Sequence, residues 1–311
     1  MKGVILAAGK GSRLYPVTHH IPKPLLPLAN KITLAYAFER LKEIGVVDIC
    51  VVVGDNEATM RESLGTGAAY GVNLDYVRQT EPKGLAHAVG FAREFVGEDD
   101  FVLYLGDAIY SEGFSRFARR FQESGCANLN LVKAVPDPSR FGVANVEGER
   151  IVKLVEKPKE PESNLAMAGL YFFSPAIWAV LPDLQPSGRG EYEITDAIQV
   201  LIDRGLTVLA GIYEGDWFDT GTLDSYLETS AYLMDGGSVV ATDAVVEAEL
   251  GPCVAIGEGA FVRATSIKDS VVLPGSRVEV DGAIEHSILG GACRMPKPIV
   301  NEILYGPGSP A

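Results

Sequence analysis

The sequence is poor in the residues from which metal centres and disulfide frameworks are built. Its 311 residues include four cysteines and four histidines. Cys50, Cys126, Cys253 and Cys293 form no CxxC pair, and their spacing suits neither a zinc site nor a disulfide scaffold. A reduced, cytoplasmic setting is expected. His19, His20, His87 and His286 show no ligand spacing, and no Ser/His/Asp or Cys/His set stands out. Long apolar runs are also missing: none approaches the roughly 20 residues that span a bilayer. The opening MKGVILAAGKGSR lacks the extended apolar core and small-residue cleavage site of a signal peptide, and reads as a buried first strand. Positive charge is scarce, with 27 Lys and Arg against 41 Asp and Glu, a net charge of -14. Such a surface repels nucleic acid and anionic membrane, so neither is expected as a partner. A polyanionic substrate would need a local basic cluster to overcome that field.

The chain does contain alternating strand-like and helix-like stretches up to about residue 235. GVILAAG (3–9), DICVVVG (48–54), LDYVRQ (74–79) and FVLYLGD (101–107) are apolar runs of strand length. TLAYAFERLKEIGV (33–46) and LAHAVGFAREFV (85–96) carry helical periodicity. Continuous apolar strands separated by helices predict an α/β fold with a mostly parallel sheet covered on both faces. Ligands of such sheets sit beyond the carboxyl ends of the strands.

Past residue 238 the period changes. Val239, Val245, Leu250, Ile256, Val262, Ile267, Leu273, Val278, Ile284 and Leu289 recur in steps of five or six. That period is neither helical nor a simple strand alternation. It predicts a parallel β-helix of about three coils of 18 residues each, with a β-rich meander as the alternative. The expected domains are 1–236, 237–294 and a Pro/Gly-rich tail, 295–311, that packs as an extended segment or ends loosely.

Directly after the first strand comes LAAGKGSR (6–13). It is not GxxxxGK[ST], and Leu14 stands where a dinucleotide fingerprint would place its third glycine. Gly9 and Gly11 still permit a tight turn whose amides face an anion. Arg13 adds a planar donor suited to phosphate oxygens. Ten residues on, Lys23 sits between prolines in IPKPLLP, which holds its ammonium in place.

With KPLLP, the loop LAAGKGSRLYPVT resembles the opening of the sugar-phosphate nucleotidyltransferases. The resemblance continues in order through QTEPKGLAHAV (79–89), LGD (105–107), RFGVA (140–144), EKP (156–158), AGLYFF (168–173), RGEYEITDA (189–197) and WFDTG (217–221). It is strongest to the glucose-1-phosphate thymidylyltransferases, in the longer form with a C-terminal left-handed β-helix. The resemblance implies a Rossmann-like nucleotidyltransferase domain. It also implies dTTP or UTP and glucose 1-phosphate as substrates and Mg²⁺ as cofactor. A homo-oligomer is expected because stacked flat coil faces bury well against copies of themselves.

The resemblance carries roles onto particular residues. Leu6, Ala8, Gly9 and Gly11 would line the nucleotide. Arg13 would hold the departing pyrophosphate, and Lys23 would contact the α-phosphate and the sugar phosphate. Lys157 would bind the sugar phosphate. Asp107 and Asp219 match the magnesium ligands, a hard oxygen set of the kind magnesium prefers. Gln79 and Gly84 would read the pyrimidine edge, Gln79 through an amide that can both donate and accept. Gly142, Glu156 and Gly169 match the positions that bind sugar hydroxyls.

Two positions depart from the thymidylyltransferase pattern. Pro24 stands where glutamine is usual, and Ala108 where asparagine follows the LGD aspartate. They leave a uridylyltransferase as the alternative to a thymidylyltransferase. A silent binding or regulatory subunit, and an acetyltransferase using the C-terminal repeat, are the competitors from other classes.

Overall fold

The computed structural model describes residues 1–307, so the last four residues of the expected tail lie outside the described residues. Contacts divide the chain into two compact units. One comprises Met1–Gly9 and Ala37–Trp217, the other Lys10–Tyr36 and everything from Phe218 onward. The division passes through the glycine-rich loop, between Gly9 and Lys10. No helix among the described residues is long and apolar enough to cross a membrane.

The first unit is built on a nine-stranded sheet. Its strands are β1 (Lys2–Leu6), β2 (Asp48–Val53), β3 (Asn73–Arg78), β4 (Phe101–Leu105), β5 (Asn128–Ala134), β6 (Gly142–Glu147), β7 (Arg150–Glu156), β8 (Leu165–Phe173) and β9 (Val208–Ile212). They lie in the order β3-β2-β1-β4-β8-β5-β9-β7-β6. The first four are parallel, with Val4 opposite both Cys50 and Leu103. Val4, Cys50, Val52 and Leu103 are fully buried, as expected for strands covered on both faces.

The sheet is mostly parallel in strand direction, as expected, with β7 and β8 running against the other seven strands. Strand β8 runs antiparallel to both β4 and β5, and β7 is antiparallel to β9 and β6. The sheet is therefore mixed. Burial hides the reversal of β8 from the sequence: LAMAGLYFF is covered along nearly its whole length, so it reads as a continuous apolar run like its neighbours. An apolar run records burial on two faces, and carries no information on strand direction.

Helices α1 (Leu85–Phe91) and α2 (Ile194–Asp203) pack against this sheet. The helix expected over 85–96 breaks at Ala92 and resumes at Arg93–Val96. Ala86, Val89, Ile194, Ala197, Ile198 and Leu201 join one core with Val4, Leu103 and Phe173.

In the second unit, strands from Val239 to Tyr305 pair in parallel at intervals of 15 to 17 residues. Val262 faces Val278, Ile267 faces Ile284, and Val278 faces Cys293. The interval is shorter than the expected 18 residues, because several of the apolar steps are five residues and not six, as from Val262 to Ile267 and from Leu273 to Val278. Ile256, Val262, Ile267, Val278, Ile284 and Leu289 share one dry core. Val239, Val245 and Leu250 fit the same period but are exposed, at 37%, 51% and 45%. Val245 and Leu250 belong to Val245–Leu250, which pairs with one strand, Phe261–Val272, and so has no layer beyond it. Within the stretch expected to be a tail, Ile299–Val300 and Ile303–Tyr305 pair with Ala283–Gly290.

Helix α3 (Leu223–Leu233) is tied to these strands through one histidine. His286 shares its Nε2 proton with Asp224 at 2.8 Å, and its Nδ1 contacts Asp269. The Asp224 and Asp269 carboxylates hold the imidazole pKa above its ordinary value of 6.5. A raised folded-state pKa means stabilisation that is complete below the unfolded value and lost as pH rises through the folded one. His286 also has φ +44°, a left-handed backbone that asparagine tolerates well. His286→Asn should therefore lower the melting temperature clearly at about pH 6. Wild type and variant should converge above the folded pKa of His286, which a melting series from about pH 5 to 9 measures.

Candidate active site

The expected site residues fall into both units. In the first unit, β1, β2, β3 and β4 end at the same edge of the sheet, because they are parallel. The loop leaving β1 is fastened there. Ala7 donates to Val52 O at 2.8 Å, and Gly106 donates to Leu6 O at 3.0 Å. Asn56 accepts from Gly54 N and donates to Ala7 O, at 2.9 and 3.2 Å. A Cβ on Gly54 would lie 2.9 Å from Ala8 O, so the two loops approach backbone to backbone. Leu6, Ala8 and Gly9 are thus held on a fixed main chain. Asp107 follows Gly106 in the tight turn after β4, at the same edge and half-buried. Ala108, the departure from the thymidylyltransferase pattern, is 5% exposed at the start of the short strand Ala108–Tyr110.

The pair expected to read the base is held more specifically than its motif suggests. Gln79 follows β3, and its amide nitrogen donates to Gly84 O at 3.3 Å. The same nitrogen lies 3.1 Å from His87 Nδ1. An amide nitrogen has no acceptor capacity, so Nδ1 must accept, which places the His87 proton on Nε2. Both Gln79 N–H groups are then engaged inside the protein. What remains for a ligand is the carbonyl oxygen, an acceptor, which narrows the dual donor-acceptor role read from the sequence. Gly84 has φ +103°, and a Cβ there would lie 2.5 Å from Tyr192 O. Tyr192 fixes the loop further: its N–H donates to Lys83 O at 2.8 Å, and its carbonyl accepts from Ala86 at 3.0 Å.

The sugar-binding candidates form a second cluster in this unit. Gly142 opens β6 and is paired directly with Glu156, which closes β7. A Cβ on Gly142 would sit 2.5 Å from Thr195 Cγ2 and 3.2 Å from Glu156 Oε2. Glu156 accepts from Thr195 Oγ1 at 3.2 Å and faces Lys157 Nζ and Arg189 Nη2, each at 3.5 Å. Burial pushes its carboxyl pKa above the ordinary value of 4.5, with Lys157 opposing that shift. Lys157 adopts φ +45°, and its N–H is held by Phe141 O at 2.9 Å. Such a backbone costs a non-glycine residue of order 1–3 kcal/mol and fixes where its side chain starts. Gly169 (φ +79°) lies inside β8, where the pairing with β5 shifts between Met167 and Tyr171. A Cβ there would meet Leu105 Cδ1 at 3.0 Å.

Arg189, Glu193 and Thr195 are not distinguished from their neighbours by the sequence of RGEYEITDA, yet they set the surroundings of Glu156. Glu193 is 4% exposed and accepts from Arg189 Nη2 at 2.8 Å and Ser187 Oγ at 2.7 Å. A charge-assisted hydrogen bond is worth about 1.5–3 kcal/mol when buried, and less here because the Arg189 side chain is 40% exposed. Glu193→Gln should free Arg189, lower the melting temperature and, on the sugar-binding role expected for Glu156, raise the KM for the sugar phosphate several-fold. The KM for the nucleotide should stay unchanged; steady-state kinetics with each substrate varied in turn checks this. The signal available in the sequence is the density of charge in RGEYE, which alone does not say which carboxylate is buried.

In the second unit the structure brings Gly11, Arg13, Lys23 and Asp219 together. Gly11 (φ +63°) starts the short turn Ser12–Leu14, and a Cβ there would lie 3.1 Å from both Lys23 Cβ and Thr18 Cγ2. Thr18 Oγ1 donates to Gly11 O at 2.8 Å. A Cβ on Gly221 would lie 3.0 Å from both Arg13 Nη2 and Asp219 Oδ1, so the guanidinium and the carboxylate flank the same glycine. The turn Lys23–Leu25, introduced by Pro22, buries the Lys23 stem to 8% exposure. Its Nζ lies 4.0 Å from Asp219 Oδ1. Tyr226 of α3 donates its hydroxyl to Pro27 O, which ties this segment to the helix after Asp219. Two cations and a carboxylate thereby lie close to Gly11 and Gly221, a local basic cluster of the kind that a net charge of -14 requires for a polyanionic substrate.

Comparison with known proteins gives the family. The sequence profile of the nucleotidyl transferase family matches residues 2–236, and the chain belongs to that family. Among curated relatives, the low-salt glycan biosynthesis nucleotidyltransferase Agl11 of Haloferax volcanii is 43% identical, covering 93% of this chain and 92% of that protein. A glucose-1-phosphate thymidylyltransferase of Streptomyces antibioticus is 35% identical over the same shares of the two chains. Among solved structures, a putative glucose-1-phosphate thymidylyltransferase from Bacillus anthracis superposes with a TM-score of 0.71 at 37% identity. It covers 76% of this chain and 96% of its own.

Proposed function

We propose that this chain is a glucose-1-phosphate thymidylyltransferase, joining dTTP and glucose 1-phosphate into dTDP-glucose with release of pyrophosphate. The observation that carries this reading is the convergence of Arg13 and Lys23 with Asp219 behind a glycine turn. The sugar phosphate oxygen attacks the α-phosphorus, the new P–O bond forms, and the bond from the α-phosphorus to the β-phosphate oxygen breaks. The nucleophile is already anionic, so the protein's task is alignment and charge neutralisation. Arg13, which makes no ion pair or hydrogen bond among the described residues, takes the charge that develops on the departing pyrophosphate. Lys23 neutralises the α-phosphate, and Lys157 holds the sugar phosphate. Glu156 accepts hydrogen bonds from sugar hydroxyls, with Gly142 and Gly169 leaving the ring room to approach. Leu6, Ala8, Gly9 and Gly11 line the nucleotide, and Gln79 accepts from the pyrimidine N3–H beside Gly84.

The cofactor is Mg²⁺. No group of three or more His, Cys, Asp or Glu capable of holding a metal occurs among the described residues. By the family resemblance, Asp107 and Asp219 would be the carboxylates that meet a magnesium ion arriving on the nucleotide, an ion that takes one or two carboxylates beside phosphate and water oxygens. Once bound, it neutralises phosphate charge and orients the α-phosphate. The stacked strands from Val239 are read as a left-handed β-helix, with domains at 1–236 and 237–294 and a tail at 295–311. That module serves assembly into a homo-oligomer. All four cysteines are free, in keeping with a cytoplasmic enzyme.

UTP is the alternative nucleotide, because Pro24 departs from the thymidylyltransferase pattern and a single base methyl is worth only about 1–3 kcal/mol. Initial rates of pyrophosphate release, measured for dTTP, UTP, ATP, CTP and GTP against several sugar 1-phosphates, test the proposal. The fastest pair should be a pyrimidine nucleotide with glucose 1-phosphate. Binding of a nucleotide-sugar without turnover of any pair would favour the silent subunit instead. Product from acetyl-CoA and an amino-sugar phosphate would favour the acetyltransferase.

A further inference from the structure

A cavity of about 390 Å³ opens on the outer side of α1 in the first unit. One wall is the helix, through His87, Gly90 and, past its end, Arg93; the other carries Trp178 and Leu181, with Tyr192 and Lys83 also lining the space. Its size falls in the range of small-molecule sites, and its lining joins apolar surface to a few polar groups in the manner of such sites.

Three features argue for a ligand. Gly90 is helical, and glycine destabilises a helix interior relative to alanine. Yet a Cβ at Gly90 would meet nothing nearer than Leu181 Cδ1 at 4.0 Å, so packing does not demand the missing side chain. What its absence provides is room. The opposite wall is rigid, because Trp178 donates its indole N–H to Gly97 O at 3.1 Å and stacks on Phe101. Finally, the Arg93 guanidinium makes no ion pair or hydrogen bond among the described residues, whereas the Lys83 ammonium is paired with Glu81. A guanidinium left open beside an indole suits a flat anion.

The cavity also touches the base-reading loop. His87 lines it and accepts from Gln79, and Tyr192 lines it while clamping Lys83 and Ala86. We propose that this cavity binds a small aromatic anion, and that its occupation changes pyrimidine nucleotide affinity through the His87–Gln79 contact. The second clause rests on the nucleotide role proposed for Gln79; the first does not.

The test uses 8-anilinonaphthalene-1-sulfonate as the probe, titrated into the full chain without substrates. One equivalent should bind with enhanced fluorescence. Gly90→Leu, which fills the space, and Arg93→Gln, which removes the cation, should each weaken binding about tenfold or more. Thermal unfolding establishes that both variants are folded. No binding to the wild-type chain, or equal binding to folded Gly90→Leu and Arg93→Gln, overturns the site. Calorimetric Kd values for dTTP with magnesium, with and without saturating probe, then test the coupling. A shift of about threefold or more is expected in wild type and none in Gly90→Leu. An unchanged Kd in wild type overturns the coupling. A chain that binds no nucleotide at all contradicts the proposed function and the coupling together, while the probe titration still decides the cavity.

Discussion

Lys23→Met is expected to lower turnover with glucose 1-phosphate by about 10²–10³-fold, the effect of removing one preorganised charge from a developing negative centre. Methionine keeps the length and apolar character of a stem that is 8% exposed, so the fold should survive and the melting temperature should move little. The loss should fall mainly on kcat. In the roles proposed, Lys23 would meet charge that increases as the α-phosphorus is attacked, and Arg13 would be left to hold the β- and γ-phosphates in the ground state. Lys23→Arg should not restore the activity. A planar fork cannot occupy the place of a compact ammonium in a turn pinned by Pro22 and set 4.0 Å from Asp219. Steady-state kinetics with melting curves on the same preparations checks both expectations. A variant that loses affinity for the nucleotide but keeps kcat would remove Lys23 from the chemical step.

Gly84→Ala should produce the second large effect, on nucleotide affinity. At φ +103° an alanine is strained, and its Cβ would lie 2.5 Å from Tyr192 O, a backbone atom held by its own hydrogen bonds. Neither side can yield without moving the loop that carries the Gln79 and His87 contacts. Strain of this kind costs about 1–3 kcal/mol, and displacement of the loop should weaken dTTP and UTP binding about tenfold or more. The control is Gly45→Ala, at φ +75° with no atom within 4 Å of the added Cβ, which carries strain without a clash. It should lower stability modestly and leave nucleotide affinity alone. Calorimetric titration of both variants separates the two. Equal losses would mean that general destabilisation, and not the placement of Gln79, controls binding.

The parts of this picture that are local in the chain are legible in the sequence. The loop 6–13, the Lys23 segment and the LGD and WFDTG aspartates are short motifs whose chemistry depends on neighbouring residues. The family assignment, which rests on a match over residues 2–236, is foreshadowed by their order. Features that depend on distant pairing are not legible. LAMAGLYFF is buried on both faces whether its neighbours run with it or against it, so the antiparallel placement of β8 leaves no mark on its pattern. The engagement of both Gln79 N–H groups depends on His87, eight positions away on a helix whose pattern suggests packing. Glu193 and Arg189 lie in a recognisable motif. Which acid is buried there depends on how Ser187 and Arg189 fold over it, and composition does not disclose that.

The most direct test of the central claim is ³¹P NMR of the full chain incubated with dTTP, glucose 1-phosphate and magnesium. The account predicts that the sugar phosphate and nucleotide signals decay together while equal amounts of pyrophosphate and a nucleotide-sugar diphosphate appear, with UTP giving the same pattern at its own rate. Release of inorganic phosphate in place of pyrophosphate, or nucleotide consumption that does not require the sugar phosphate, would contradict it.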